Sequence, residues 1–166
     1  MLPIVNYPSL ILRKRTKRVK NILSPEIQSF TKELIKTMIK EDGLGLAANQ
    51  VNADQQILAV NFQDQPMVFI NPVIYYKSWS KESGEEGCLS FPGVFGLVSR
   101  SVKINLFYYD DQGRLRHLRA KGLLARVLQH EIDHLRGILF IDRMVKYTKG
   151  EDKIKAWRNA GRPEEL

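Results

Sequence analysis

Residues 128–135 read LQHEIDHL. His130 and His134 stand four apart, and on a helix that spacing stacks two imidazoles on one face. Glu131, beside the first histidine, then lies next to whatever coordination position the rings leave open. Two nitrogen ligands with a carboxylate placed to take a proton from metal-activated water form the HExxH arrangement. Glu131 also falls on an apolar stripe, where a charge without a partner is costly.

Two ligands do not make a catalytic metal site; a third is needed, with one position left for water. The extended pattern HExxHxxGxxH fails, because Gly137 is present but residue 140 is Phe. A glutamate well downstream is the other common solution, and the first available, Glu151, lies in a polar segment. His117 sits in a basic, strand-like stretch and reads as a surface residue. Cys88 remains, the only cysteine of the chain. A lone cysteine is usually core filler, but EEGCLSFPG is a sharply shaped segment. A thiolate from a strand facing the helix completes a Cys-His-His set with one open position.

GLGLAANQV (43–51) contributes differently. Its Gly-x-Gly lacks the strand-to-helix context of a phosphate-binding loop. Small residues in a row let other groups approach closely. Gln50 offers an uncharged amide suited to an oxygen that becomes negative in a transition state.

These segments need elements to position them. Ser24 as N-cap, Pro25 in the first turn and apolar residues at 27, 30, 34, 35, 38 and 39 predict a helix. It should stop near Asp42-Gly43, where glycine accepts the left-handed conformation. QILAVNF, MVFINPVIYYK and VKINLFYYD read as strands, and DDQGR as a hairpin turn before LRHLR. From Gly122 the period is helical again, with Leu124, Val127, Leu128, Glu131 and Leu135 on one stripe and Gly137 at its end. A short helix is expected over 151–159. The expected architecture is α+β: antiparallel or mixed sheets around a central HExxH helix, with an N-terminal helix and a short C-terminal one.

At 166 residues one domain is expected, with residues 1–146 as the catalytic unit and 147–166 as a basic tail or helix of the same domain. No apolar run reaches membrane-spanning length. The start, MLPIVNYPSL, lacks the pattern of a secretory signal. A single thiol fits a reducing compartment, and bacterial cytoplasm is the expected location. The net charge of +8 points to acidic partners such as RNA. The basic residues cluster at 13–20 and from Lys146 onward, without the interleaved aromatics of a nucleic-acid motif.

GLGLAANQ (43–50), EGCLS (86–90) and QHEIDH (129–134), in this order and at these separations, resemble the three signature motifs of the peptide deformylases. SFPGVFGLVSR, DDQGRL and GILFIDRM look like that family too, so the resemblance covers residues 3–146. It implies a hydrolase that removes the formyl group from N-terminal formylmethionine and releases formate. Cys88, His130 and His134 match the metal ligands, and Glu131 the acid/base. Gln50 and the backbone N–H of Leu89 match the oxyanion donors. Gly45 would hydrogen-bond the peptide as an added strand, with the methionine side chain among Leu44, Leu123 and Val127. Glu86 and Arg100 match a pair that braces the cysteine strand. One divalent ion is implied, Fe²⁺ in the cell, with Zn²⁺, Ni²⁺ or Co²⁺ compatible with the same donors.

The implied substrate is the formylmethionyl nascent peptide. A monomer is expected, with no DNA or membrane partner and with ribosome contact through the basic tail. Arg126 departs from the family, which often has an aliphatic residue there; an inward guanidinium would reshape the pocket mouth, an outward one would be surface. Phe95 stands where some relatives carry arginine. The rival readings are a metallopeptidase acting on ordinary peptide bonds and a structural metal site in an RNA-binding protein.

Overall fold

In the computed structural model, residues 1–160 are described. Helix α1 (Pro25–Lys40) starts as its sequence predicts, with the Ser24 hydroxyl accepting from Ile27 N–H and Pro25 in the first turn. Its end differs. Asp42, not Gly43, takes the left-handed conformation (φ 51°), while Gly43 N–H closes the turn on the Met38 carbonyl at 2.9 Å. Gly43 is needed for space instead, since a Cβ there would lie 2.9 Å from Leu89 Cδ1. Ile39, placed on the apolar stripe by its spacing, is exposed, because it falls in the last turn beyond the sheet.

Strands β1 (Gly45–Ala47), β2 (Ile57–Phe62), β3 (Gln65–Lys77), β6 (Lys103–Tyr109) and β7 (Leu115–Lys121) form one sheet in the order β1-β2-β3-β6-β7. Strands β4 (Lys81–Gly87), β5 (Phe95–Ser101) and β8 (Met144–Lys149) form a second, in the order β4-β5-β8. All these pairings are antiparallel. The three predicted strands are β2, β3 and β6, and DDQGR makes the β6–β7 turn, with Asp110 N–H bonded to the Arg114 carbonyl.

Side chains alternate across a strand, and β2 uses both faces. Ile57 and Ala59 pack with Leu34 and Met38 of α1. Leu58 and Val60 pack on the other face with Ala125, Leu128 and Ile132 of α2 (Gly122–Leu135). Sandwiching the sheet between two helices explains why β2 begins with four consecutive buried apolar residues, 57–60, rather than alternating. The second sheet has its own core, in which Phe91, Val94 and Val98 meet Leu139 and Phe140, at the start of the short helix α3 (Phe140–Arg143). Ile154 of α4 (Glu151–Ala160) is fully buried there. Residues 144–160 are thus built into the second sheet and its core; positions 161–166 of the basic tail lie outside the described residues. No helix among the described residues is long and apolar enough to cross a membrane.

Helix α2 therefore lies against the large sheet, with its C-terminal half turned towards the small one. The chain start ties the halves together: Val5 N–H bonds the Gln50 carbonyl at 2.7 Å and Tyr7 N–H the Ser90 carbonyl at 3.0 Å.

Candidate active site

α2 stays buried from Leu128 to Leu135, polar residues included. Such burial requires partners, and every polar side chain here has at least one, with two buried atoms left over. Gln129 bonds the backbone of Ser101 and Ala125. Asp133 accepts from Arg100 and, at 2.5 and 2.9 Å, from Arg143. His130 Nδ1 meets Glu86 Oε2 at 2.9 Å. His134 is held through its backbone, whose carbonyl accepts from Asn49 Nδ2 at 2.6 Å. The two atoms without a partner among the described residues are Glu131 Oε2 and His134 Nδ1.

Cys88, the first residue after β4, brings sulfur to this face. Its Sγ lies 3.2 Å from His134 Nε2, and ligand atoms of Cys88, His130 and His134 all fall within 4.8 Å of one another. Atoms bound at about 2.0–2.3 Å to one tetrahedral ion lie roughly 3.5 Å apart. The trio therefore fits a soft-to-borderline divalent metal. Its surroundings fit a cation as well. Burial alone disfavours charge on both rings, and His134 is driven well below the usual imidazole range. For His130 burial is overcome by Cys88, Glu86 and Glu131, which raise its pKa. The pair therefore holds at most one added proton, on His130, and leaves the His134 ring neutral as a donor.

Gln50, fully buried, faces the sulfur from the other side. Its Oε1 accepts from Ala47 N–H at 2.8 Å, so the amide can turn only one way, with Nε2 towards Cys88 Sγ and Ser90 Oγ, both 3.3 Å away. Burial raises the Glu131 carboxyl to about 7 against the opposing charge of His130. Gly45 makes room for that carboxylate, since a Cβ there would stand 2.5 Å from Glu131 Oε1.

Glu86 is the hub behind the site. It takes both Arg100 Nε and Nη2 at 2.9 Å, His130 Nδ1 at 2.9 Å and Arg126 Nη1 at 2.8 Å. Burial would raise its carboxyl, but the bonds from Arg100 and His130 prevail and hold it at about 2. Arg126 points inward: besides Glu86 it bonds the carbonyls of Val98 at 2.8 Å and Glu82 at 2.6 Å. Its guanidinium lies against Gly84, where a Cβ would come within 2.9 Å of Cζ.

A cavity of about 580 Å³ opens onto these groups. Leu44, Gly45, Leu89, Leu123, Val127 and Arg126 line it with Cys88, Gln50, His130 and Glu131. Leu44 and Leu123 are half exposed at its mouth, and β1, an edge strand paired only with β2, runs along it. Phe95 also lines it and packs on Gly87. His117 lies elsewhere, exposed, with its ring 2.5 Å from the Tyr75 hydroxyl. Glu151 pairs with Lys155 on the exposed side of α4. Sequence reasoning gave no role to Ser90, Asn49 or Arg143. The signal that could have found them is their place inside GLGLAANQ, EGCLS and GILFIDRM.

The family model described as polypeptide deformylase matches residues 1–150. A peptide deformylase of Thermoanaerobacter sp. (strain X514) is 40% identical over 154 residues, covering 92% of this chain and 92% of that protein. The crystal structure of peptide deformylase from Thermotoga maritima superposes with a TM-score of 0.85 at 38% identity, over 88% of this chain and 99% of that one. A Met-Ala-Ser-bound peptide deformylase from Acinetobacter baumannii gives a TM-score of 0.83 at 32% identity, over 86% and 98%.

Proposed function

This chain belongs to the peptide deformylase family, and from that premise we propose that Cys88, His130 and His134 hold one divalent metal ion beside Glu131. The protein is a metal-dependent hydrolase that removes the formyl group from the N-terminal formylmethionine of new proteins. The observation that carries the residue assignment is the gathering of one sulfur and two imidazoles within 4.8 Å of one another, next to a buried carboxylate with a free oxygen.

Bound there, the ion supplies Lewis acidity and makes a water acidic enough to attack at neutral pH. Glu131 accepts the proton of the attacking water and later returns it to the departing amine. The formyl C–N bond breaks, and formate and a free N-terminal amine result. The Gln50 amide and the Leu89 N–H donate to the oxygen of the formyl group as it gains charge. Glu86, fixed by Arg100, orients His130 through Nδ1 and leaves Nε2 for the ion. Gly45 on the free edge of β1 supports pairing of the peptide as an added strand, with methionine among Leu44, Leu123 and Val127. The Met-Ala-Ser ligand of the Acinetobacter relative supports this peptide class.

The metal we propose is Fe²⁺, with Zn²⁺, Ni²⁺ and Co²⁺ able to bind the same donors. A thiolate already donates strongly, which blunts the Lewis acidity of zinc. The protein acts as a monomer in bacterial cytoplasm, with 1–146 carrying catalysis and the basic 147–166 segment touching the ribosome. The test compares hydrolysis of formyl-Met-Ala-Ser with cleavage of the unformylated peptide, using anaerobically purified protein with its metal measured. Formate release from the first alone is expected, fastest with Fe²⁺. Cleavage of the unformylated peptide would revive the metallopeptidase reading, and full activity in the zinc form alone would overturn the iron assignment.

A further inference from the structure

α1 covers one face of the five-stranded sheet mainly over β1 to β3 and reaches the β6–β7 turn through Gln28 Nε2, which donates to the Asp111 carbonyl at 2.8 Å. Beyond the helix, the same face continues over β6 and β7, and register fixes what stands there. Phe107 lies opposite His117, Asn105 opposite Arg119, and Lys103 opposite Lys121. Tyr109, two residues past Phe107, still packs against the core under α1; from Phe107 outward the face is open. Tyr75 of β3 stacks on Phe107 with ring centroids 4.9 Å apart. Tyr75 is 51% and Phe107 44% exposed, so these rings rest on each other while half of each faces solvent.

The charges around them are unspent. Lys103, Arg119 and Lys121 are exposed, and none takes part in an ion pair among the described residues. The basic stretch 13–20 is half neutralised, with Arg13 on Asp142 and both Lys14 and Lys17 on Asp54, and its remaining cations have no stacked, half-exposed aromatic pair beside them. Of the acids closest to this face, Asp110 is already held by Arg114 and Arg116, and Asp111 follows it in the far turn. Trp79, 98% exposed, sits in the connection after β3. That connection is fixed to β6: Ser78 N–H bonds the Lys103 carbonyl at 2.9 Å, and Lys103 N–H bonds Ser78 Oγ at 3.0 Å.

We infer that this open sheet face binds single-stranded RNA, its bases stacking on the Tyr75–Phe107 pair and its phosphates meeting Lys103, Arg119 and Lys121. Unpaired bases present flat π faces at regular intervals, each linked to one negative charge. Half-exposed aromatics beside unpaired cations on a rigid sheet answer both features. A second copy of the chain is disfavoured, because its cations would face these. A lipid surface is the competing occupant, because the exposed Val73 and Tyr76 lie opposite Phe107 and Asn105, and the vesicle arm of the test separates the two. The inference goes beyond deformylation and uses none of the residues assigned to it.

The test is fluorescence anisotropy of a labelled 12-nucleotide uridine oligomer with the metal-loaded enzyme, alongside flotation with anionic vesicles and light scattering. Phe107→Ala should weaken RNA binding at least fivefold and Phe107→Tyr should restore it. Lys103→Glu with Lys121→Glu should weaken it about tenfold and make its salt dependence shallower. Hydrolysis of free formyl-Met-Ala-Ser should stay unchanged in every variant, which separates a failure here from a failure of the enzymatic reading. RNA binding that ignores Phe107→Ala would mean charge alone and overturn the proposal. So would vesicle binding without RNA binding, or self-association abolished by Phe107→Ala.

Discussion

Glu86→Gln tests whether the hub behind the site does the work its geometry implies. The carboxylate, buried, accepts four donor contacts, two from Arg100 and one each from Arg126 and His130. A glutamine there keeps one oxygen and must present an NH₂ group on the other side. If the oxygen stays with Arg100 Nε and Arg126, the NH₂ faces Arg100 Nη2 and His130 Nδ1, donor against donor. Reversing the amide spares His130 and sets the NH₂ against two guanidinium donors.

The magnitude follows from the pKa. Holding this carboxyl at about 2 instead of 4.5 corresponds to roughly 3 kcal/mol at neutral pH. The folded pKa is the depressed one, so this stabilisation is fully present above about pH 4.5. It is lost as pH falls towards about 2. Urea unfolding at pH 7 should therefore show Glu86→Gln less stable by roughly 3 kcal/mol, with a gap that narrows steadily below pH 4.5. His130 also loses the acceptor that fixes its tautomer, so metal affinity should fall about 10- to 100-fold in a chelator competition. An equal stability gap at pH 7 and pH 3, or metal affinity within twofold of wild type, would refute the reasoning.

Glu131→Gln should lower kcat by roughly 10²- to 10⁴-fold with metal content unchanged. Because the base must be ionised, kcat/KM of the wild type should rise with pH through the Glu131 pKa, which a cation draws below the value of about 7 set by burial. That rising limb should vanish in the variant. Gly45→Ala should cut kcat at least tenfold while the protein still folds and binds metal, because the new methyl occupies space 2.5 Å from Glu131 Oε1; stopped assays with metal analysis check this. Arg126→Leu should cost about 2 kcal/mol in chemical denaturation, since it removes a charged donor from Glu86 and strips two backbone carbonyls of their partner. A variant as stable as wild type would place Arg126 among surface residues after all.

What could be read from the sequence is what a short-range period dictates. His130, Glu131 and His134 needed only the 3.6-residue turn to be placed, and Cys88 followed because no other third ligand was available. β2, β3 and β6 announced themselves by β-branched and aromatic residues, whereas KESGEEG, which forms β4, carries no apolar pattern. Its conformation is imposed by pairing with β5, so the small sheet was less visible than the large one. The Glu86–Arg100 brace was legible only through the family resemblance, not from strand pairing. Glu86 lies opposite Gly96 and Arg100 opposite Glu82, so no pairing rule brings Glu86 and Arg100 together; a long guanidinium reaches along the sheet to do so. Arg126 had two open orientations on its helix, and the choice was made by Gly84, a residue 42 positions away whose missing side chain admits it. Asp133, on the same helix, neutralises Arg100 and Arg143. Motif spacing thus yields the groups that face the cavity, while the groups that hold them depend on reach and on absent side chains. Those are properties of the folded pair of sheets and have no local signature.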